Sequence, residues 1–340
     1  MINAKWSCDC AGLRRWLAGF FVAMGLVVGG REAAAQTATL SWQAVTEDVN
    51  GHAEVQPVYY NIYCDTVPAF QPGPANFLAA TLNNSYVHSD PRLSDPHRHL
   101  YYQVRAVDVW GNTSAPSDTV GELPYVLVRA RALLQACYDA AGDTMRTTLR
   151  QKGLVPLASP FTQAPRALTA LPAGTVDWVL LQLRDPATAN IVGEESFLLK
   201  QSGKLTELDG SNEALGITGC VPGSYELILY HRNHAAVMSR ATVVLNESAP
   251  TLFDFAADSA VYAGKNAACE LETGVWGLWS GDINQDHQIS DLDFSSWQSA
   301  AQEGQIGYRP QDLNFDTRVT TADYVLLYRA QRAGATSYVP

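Results

Sequence analysis

Short runs of alternating apolar and polar residues dominate most of the chain. Such alternation turns one face of a run toward a core and the other toward water, and it predicts β-strands where turn residues separate the runs. The clearest case is 100–109, with Leu100, Tyr102 and Val104 on one face. Further strands are predicted at 38–44, 58–65, 77–81 and 85–88. Together they indicate an antiparallel β-sandwich over residues 37–124.

The same pattern continues through the middle of the chain. Turn residues such as Asp209-Gly210 and Pro222-Gly223 separate the runs. Strands are predicted at 126–135, 176–184, 191–201, 205–208, 224–231, 237–245 and 251–255, with a short helix or turn at 145–153. We therefore expect a second antiparallel β-sandwich, of unknown role, over residues 125–274.

Near the C-terminus the apolar residues change to helical spacing. Phe294, Trp297 and Ala301 follow one acidic stretch, and Tyr324 and Leu327 follow another. Each acidic stretch is thus expected to be a loop that runs directly into one helix. The Trp276 and Trp279 side chains just before the first stretch are expected to pack this region onto the second sandwich.

The two acidic stretches carry one motif twice, thirty residues apart. A Ca²⁺ ion takes about six to eight oxygen ligands, which a twelve-residue loop supplies from positions 1, 3, 5, 7, 9 and 12. In the first copy these positions are Asp282, Asn284, Asp286, Gln288 through its carbonyl, Ser290 and Asp293. In the second copy they are Asp312, Asn314, Asp316, Arg318 through its carbonyl, Thr320 and Asp323. The repeat therefore predicts two calcium ions. For the whole chain we expect a mainly β fold class, with two antiparallel β-sandwich domains followed by a small α-helical calcium-loop module at 275–335.

With Asp at position 12 and a single helix after each loop, the module resembles the EF-hand-type repeat of dockerin domains. The resemblance covers about fifty residues and implies a protein partner, either cohesin-like or a neighbouring domain. The chain departs from the family at position 6, where His287 and Thr317 replace the usual Gly, and we expect Thr317 to weaken the second loop. It also departs at positions 10 and 11, through which dockerins recognise cohesins: these are Asp291-Leu292 and Thr321-Ala322.

The first sandwich carries a different resemblance. Leu40-Ser-Trp42, the run Tyr60-Asn-Ile62-Tyr63 and the run from Tyr101 to Asp108 resemble, in order and separation, a fibronectin type III domain. The resemblance implies that Trp42 belongs to the core and that Tyr102 is a corner tyrosine bonded to backbone. Asn50-Gly51 is expected to form a hairpin turn. Trp110 is expected either to pack on a neighbouring domain or to stack on a sugar.

Strings in the middle segment, including Asp177-Trp178 and the run from His231 to His234, look like a domain that recurs in large secreted bacterial surface proteins upstream of dockerin-like repeats. No activity comes with that resemblance. His231 and His234 lie three apart in a strand and could share a metal only if the chain turns between them. The alternative is a hairpin whose polar side chains satisfy backbone groups.

Composition and the N-terminal segment place the chain outside the cell. Lys5 and Arg14-Arg15, an apolar core at 16–30 and Ala33-Ala34-Ala35 form the pattern of a secretory signal over residues 1–35. The apolar core is shorter than the ~20 residues that span a bilayer. We expect a secreted, extracellular or cell-surface protein that does not span the membrane after cleavage. A net charge of −11 argues against a nucleic-acid partner.

Other chemistry is less well specified. Four cysteines remain after the signal, and their pairing is left open among three possibilities: Cys64, Cys137, Cys220 and Cys269. A metal site or a solvated loop is possible where three histidines lie near two aspartates: His88, His97, His99, Asp90 and Asp95. Three carboxylate pairs could serve glycoside hydrolysis if they faced one another across a cleft: Glu194 with Glu195, Glu207 with Asp209, and Asp254 with Asp258.

We expect no enzyme, because no recognisable nucleophile, zinc or phosphate-binding motif occurs in the chain. The favoured hypothesis is calcium-dependent protein–protein docking or adhesion at the bacterial surface or in an extracellular assembly. The alternative is an accessory, carbohydrate-associated module of a polysaccharide-degrading, cellulosome-like system, with polysaccharide as its ligand. A hydrolase hidden in the middle segment is the third hypothesis.

Overall fold

The structure is a computed structural model that describes residues 25–26, 37–45, 59–94, 100–121 and 124–339. The chain is mainly β and divides into two compact units, one up to Pro124 and one from Tyr125 onward. The predicted turn at Asn50-Gly51 lies outside the described residues, as do His97 and His99. So does the predicted signal segment, apart from Gly25 and Leu26.

The described part of the first unit consists of short antiparallel strands and two 3₁₀ turns. The strands are β1 (Gly25–Leu26), β2 (Thr37–Ser41), β3 (Tyr59–Asp65), β4 (Phe77–Thr81), β5 (Ser85–Ser89), β6 (Tyr101–Val107) and β7 (Val120–Gly121). One sheet has the order β1-β2-β5 and the other β4-β3-β6-β7. The turns are Pro74–Asn76 and Pro91–Ser94. The predicted strands are therefore present here, with ends that differ by up to three residues.

The two sheets of the first unit share one hydrophobic core. Trp42 is buried, as expected, and its ring meets that of Tyr60 edge-on at 5.3 Å between centroids. The Tyr60 hydroxyl accepts a hydrogen bond from the Val45 amide at 2.9 Å, so its polar end is satisfied inside the core. The Tyr102 hydroxyl lies 2.9 Å from Nδ1 of His88, which is a side-chain contact. The expected hydrogen bond from this hydroxyl to the backbone stays a prediction.

The second unit contains most of the strands. They are β8 (Tyr125–Arg131), β9 (Tyr138–Asp139), β10 (Thr144–Met145), β11 (Thr175–Arg184), β12 (Ile191–Lys200), β13 (Leu205–Thr206), β14 (Leu215–Thr218), β15 (Gly223–His231), β16 (His234–Met238), β17 (Val243–Leu245), β18 (Thr251–Asp254), β19 (Cys269–Glu272) and β20 (Val275–Gly277). The helices are α1 (Thr148–Gln151), α2 (Asp291–Gln302) and α3 (Thr321–Ala333), and Ser259–Val261 forms a 3₁₀ turn.

Two sheets of the second unit enclose one large core. The larger has the order β13-β12-β11-β15-β16, with β17 also paired to β15, and the smaller has the order β14-β8-β18. Strand β11 is central and is buried along nearly its whole length, which matches its almost unbroken apolar sequence. Trp178 on β11 is completely buried, and its indole nitrogen donates to the Pro156 carbonyl at 2.8 Å.

Three of the differences between this unit and the sequence predictions concern its two main sheets. The predicted purely antiparallel arrangement is wrong at one pair, because β18 runs parallel to β8. The single strand predicted at 237–245 is two strands, β16 and β17, which pair with opposite ends of β15. The chain breaks between them at Ser239, whose buried hydroxyl accepts from the Leu227 amide at 2.9 Å. Strand β14 was not predicted, because its Gly216 and the surrounding turn residues weaken the pattern.

The boundary expected at residue 275 falls inside a hairpin. Strand β20 pairs antiparallel with β19, so the residues just before the first acidic loop continue the preceding structure. The Trp276 side chain packs against the large core, and the Trp279 indole nitrogen donates to the Asn266 carbonyl at 3.1 Å. Both tryptophans thus contact the part of the unit that precedes the loops.

Helices α2 and α3 begin at matching caps. Ser290 and Asp293 form a capping box at α2, and Thr320 and Asp323 form the same box at α3. The two helices share a small core of their own with apolar loop residues, and the Trp297 indole nitrogen donates to the Thr320 carbonyl at 3.0 Å.

Cys64, Cys137, Cys220 and Cys269 are free thiols in this structure. Within the described ranges, no helix is both long and apolar enough to cross a membrane.

Candidate metal centre

The two acidic loops have the same unusual backbone. Position 4 has a positive φ in both, 60° at Gln285 and 61° at Phe315. Position 6 does as well, with 69° at His287 and 83° at Thr317. Positive φ is uncommon outside glycine and costs a β-branched residue on the order of 1–3 kcal/mol. The chain therefore makes the turn for which Gly is usual at position 6, as the sequence pattern predicted, and a second positive-φ residue at position 4 that was not predicted.

In the first loop, the carboxylate at position 12 closes the turn. One Asp293 oxygen accepts from the amides of Ile283 at 2.7 Å and Asn284 at 3.2 Å, and the other accepts from the Ser290 amide at 2.8 Å. Asn284 donates to Asp286 at 2.8 Å, and Asp286 accepts from the Gln288 amide at 2.9 Å. Apart from Asp282, the predicted ligands are thus already joined to one another by hydrogen bonds within the loop.

The second loop repeats this network bond for bond. One Asp323 oxygen accepts from the amides of Leu313 at 2.8 Å and Asn314 at 3.1 Å, and the other from the Thr320 amide at 2.8 Å. Asn314 donates to Asp316 at 3.0 Å, and Asp316 accepts from the Arg318 amide at 2.9 Å. The sequence repeat is therefore a structural repeat.

Position 1 of each loop is a buried carboxylate, and in the second loop Asp312 accepts from the backbone amides of Asp316 at 3.2 Å and Thr317 at 2.9 Å. Asp282 is 1 % exposed and Asp312 is 0 % exposed. Burial, and then the neighbouring Asp293, raises the pKa of Asp282 to about 7, and burial followed by Asp323 raises that of Asp312 to about 7. Oδ1 of Asp282 is buried with no hydrogen-bond partner among the described residues. A hard cation would supply what Oδ1 of Asp282 lacks, so the donor set of the first loop fits Ca²⁺, and the second loop repeats that set.

The carboxylates alone do not form a metal cluster. Among the residues that the structure describes, no three His, Cys, Asp or Glu side chains are gathered as a metal-binding group. The three predicted carboxylates of each loop therefore do not form such a group in this structure: Asp282, Asp286 and Asp293 in the first, and Asp312, Asp316 and Asp323 in the second.

Both loops lie against the tip of the β15–β16 hairpin, which turns at Arg232 and Asn233. The Asn233 side-chain amide donates to the carbonyls of Pro310 at 2.9 Å and Asp312 at 3.1 Å, and the backbone carbonyl of Asn233 accepts from the Gly281 amide at 2.9 Å. At this tip a polar side chain of the hairpin therefore satisfies backbone groups, as one of the two interpretations of the run from His231 to His234 expected. The backbone groups that it satisfies are carbonyls of the second loop and of the residues just before it.

A buried ion cluster fixes this contact. Arg232 donates from Nε to Asp177 at 2.9 Å and also bonds to the Arg309 carbonyl, while its guanidinium lies over the Tyr308 ring at 4.2 Å. Burial alone would raise the pKa of Asp177, but Arg232 and His231 outweigh it and hold that pKa at about 2. The Tyr308 hydroxyl donates to the other Asp177 oxygen at 2.7 Å. Sequence reasoning missed this cluster, although one signal was present: a charged residue inside the apolar run of β11.

The histidines of the tip serve the same contact. His231 and His234 are completely buried, with their Nδ1 atoms 3.1 Å apart, and Nε2 of His231 lies 3.3 Å from Asp177. Burial lowers the pKa of both rings, so both are neutral near pH 7. Their rings also lie beside Phe315.

The described residues of the other candidate sites are engaged in ion pairs and hydrogen bonds, and Asp95, like His97 and His99, lies outside the described residues. His88 lies 3.6 Å from Asp90, which is engaged by Arg92. Arg166 lies between two of the acidic side chains, 3.7 Å from Glu195 and 2.8 Å from Glu207.

The remaining acidic side chains considered for hydrolysis have other contacts. Glu194 accepts from Gln182 at 2.7 Å, and Asp254 lies 3.5 Å from Arg131. Asp209 and Asp258 accept from nearby backbone amides in turns. These side chains therefore serve turns and ion pairs.

Comparison with known proteins gives little. No protein-family model matches the chain, and no curated protein matches it. A C-terminal interface mutant of a type II cohesin–X-dockerin complex from Acetivibrio cellulolyticus aligns at a TM-score of 0.30 and 13% identity, over 60% of this chain and 93% of that chain. An N-terminal interface mutant of that complex aligns at 0.31 and 14%, over 59% and 94%.

Chitinase ChiA74 from Bacillus thuringiensis aligns at a TM-score of 0.20 and 12% identity, over 62% of this chain but only 27% of that chain. TM-scores of this size establish no shared fold. The dockerin and fibronectin type III resemblances therefore stay predictions.

Proposed function

We propose that the chain is a secreted, non-catalytic modular protein whose C-terminal loop pair binds two calcium ions and serves calcium-dependent protein–protein docking or adhesion. The observation that carries the proposal is the repeat of strained backbone and carboxylate network in both loops, with a buried, unpartnered oxygen at Asp282. Strain of this kind persists where the surrounding structure requires it.

The bound ions would be held by the predicted sets. These are Asp282, Asn284, Asp286, Gln288, Ser290 and Asp293 for the first ion, and Asp312, Asn314, Asp316, Arg318, Thr320 and Asp323 for the second. A calcium ion supplies positive charge to the buried carboxylates and replaces their mutual repulsion by attraction. The same carboxylates cap α2 and α3, so occupancy stabilises both helix starts.

A partner would meet the free faces of the two helices. The residues at positions 10 and 11, Asp291-Leu292 and Thr321-Ala322, are all exposed. Apolar side chains on the same helices are also exposed, namely Leu292 at 65%, Val325 at 44% and Tyr328 at 47%. Exposed apolar residues on a docked module favour a protein partner.

Calorimetric titration of the purified chain with CaCl₂ tests the ion arm. We expect two sites in the wild type and one in each of Asp286→Ala and Asp316→Ala, because each variant removes one ligand of one loop. Asp291→Ala is the matched control, since it is an exposed loop aspartate outside the ligand set, and it should keep both sites. No calcium heat in the wild type would refute the proposal.

The docking arm needs a separate experiment. Neighbouring secreted proteins, used as bait, should bind the wild type in CaCl₂ and lose it in EDTA. Tyr328→Ala should weaken that binding while leaving both calcium sites intact.

A second candidate is an accessory module of a polysaccharide-degrading system. Trp110, 62% exposed at a turn of the first unit, supports it, because an exposed indole is a surface on which a sugar ring stacks. Pull-down on insoluble glycans tests it: binding that Trp110→Ala abolishes would favour this candidate, and no binding to any glycan would remove it.

A further inference from the structure

The two loops differ in how firmly they are attached to the large core. Phe315, at position 4 of the second loop, is 1% exposed and belongs to that core. Its counterpart in the first loop, Gln285, is only half-buried and donates through its side chain to the His231 carbonyl. At position 8, Val319 is buried but Ile289 is not. An aromatic anchor in a core contributes more than one amide hydrogen bond.

Arg232 reinforces the attachment of the second loop. Its guanidinium lies 4.8 Å from the Phe315 ring and 4.2 Å from the Tyr308 ring, and its charge is balanced by Asp177. The neighbouring Asn233 donates to the Asp312 carbonyl, at position 1 of the same loop. A planar cation stacked on aromatic rings and fixed by a carboxylate is rigid.

The first loop has lighter support. The Gly281 amide donates to the Asn233 carbonyl just before the loop, and Gln288 forms an isolated bridge with Thr336 in the C-terminal tail. The His287 ring meets that of Tyr230 edge-on at 5.8 Å between centroids, but no side chain of this loop belongs to the large core within the described residues. Its position 1 oxygen, Oδ1 of Asp282, is the one left without a partner.

We propose that Arg232 is a positioning residue for the second loop: it holds that loop in its ion-binding conformation before any cation arrives, whereas the first loop, which is attached less firmly, opens readily until calcium binds. The two sites are then unequal in role. The second is a pre-organised anchor, and the first is the element whose structure responds to calcium. The part of this inference that concerns calcium affinity rests on the proposed function. The part that concerns the two loops without calcium, here called the calcium-free arm, does not.

Hydrogen exchange in EDTA tests the calcium-free arm. We expect the Thr317 and Arg318 amides of the second loop to exchange at least about tenfold more slowly than the His287 and Gln288 amides of the first. Calcium should slow exchange mainly in the first loop. Equal exchange of both loops in EDTA would overturn the proposal even if calcium binds.

Variants at the cluster test the role of Arg232. The double variant Asp177→Asn/Arg232→Met removes both charges together, so that neither is left buried alone. We expect it to lose the protection of the second loop in EDTA and to lower calcium affinity about tenfold at that site, measured in the Asp286→Ala background. Affinity of the first loop, measured in the Asp316→Ala background, should stay within about twofold.

Arg232→Lys is the conservative variant should the double variant fail to fold. It keeps the charge opposite Asp177 but loses the planar stack on Tyr308 and Phe315, so we expect partial loss of protection, confined to the second loop. A change spread equally over both loops, or no change in either, would show that Arg232 does not position the second loop. Absence of calcium binding in the wild type would instead refute the proposed function and leave the exchange result standing.

Discussion

Asp177 shows at the scale of one residue how strongly the loop region depends on a buried charge. It is 0% exposed and bonds to Arg232, His231 and Tyr308. Replacing it by Ala would leave the Arg232 guanidinium buried without a counter-ion. We expect a loss of roughly 3–5 kcal/mol in the free energy of unfolding of the second unit, measured with denaturant.

The control for this prediction is Glu270→Ala, an exposed acidic residue of the same unit, which should change that free energy by less than about 0.5 kcal/mol. Comparable effects of the two substitutions would contradict the role of the cluster.

His88 gives a pH dependence in the first unit. Burial lowers the pKa of His88, and the positive charge of Arg92 lowers it further, while the negative charge of Asp90 acts in the opposite direction. The His88 ring also lies beside those of Tyr102 and Tyr86. The folded state therefore holds a neutral ring, whereas the unfolded chain takes up a proton near the ordinary value of 6.5. Stability from His88 is complete above that value and declines as the pH falls below it.

The slope that one proton can contribute is at most about 1.4 kcal/mol per pH unit. Urea unfolding of the first unit, followed between about pH 7.5 and 5.5, should show a flatter profile for His88→Gln than for the wild type. Parallel profiles would mean that His88 does not titrate as its burial implies.

At the scale of elements, the second loop is attached to the sheet by Phe315. Phe315→Ala should destabilise the second unit by roughly 3–5 kcal/mol, because it removes a fully buried ring. The matched substitution in the first loop, Gln285→Ala, should cost no more than about 1.5 kcal/mol, the contribution of a single hydrogen bond. Chemical denaturation of both variants in EDTA makes the comparison, and equal costs would contradict the unequal attachment.

The strands were predictable where the sequence shows a clear alternation or a continuous apolar run. The alternation along β3 and β6 located both strands to within two residues, and the apolar run of β11 located the centre of the larger sheet. The parallel pairing of β18 with β8 was not predictable, since side-chain alternation is the same in either direction. The break at Ser239 was missed because no Gly or Pro marks it in the sequence.

The candidate site was predictable in part, because its chemistry is local. Ligand spacing within twelve residues specifies a loop, and the positive φ at position 6 followed from the family pattern at His287 and Thr317. The contacts of the loops with Asp177 and Arg232 depend on residues about eighty to a hundred and thirty positions away in the chain. The periodicity of apolar residues carries no information about contacts between residues so far apart in the chain. The packing of the loops against the β15–β16 hairpin was therefore seen only in the structure.

At the scale of the whole molecule, calcium should act on one unit only. The predicted ligands lie in the unit that begins at Tyr125, and none lies before Pro124. We expect calorimetric scans of the full chain to show one transition that rises in temperature with CaCl₂ and one that does not. Asp286→Ala/Asp316→Ala should abolish the rise, and a shift of both transitions in the wild type would contradict this assignment.

The most direct test of the central claim is the melting temperature of the second unit in CaCl₂ against EDTA. At a calcium concentration about a hundredfold above the dissociation constant, each site adds about 2.7 kcal/mol, which for a unit of this size raises the melting temperature by several degrees. The account predicts that rise and its reversal by EDTA. An unchanged melting temperature, with no calcium heat in calorimetry, would contradict it.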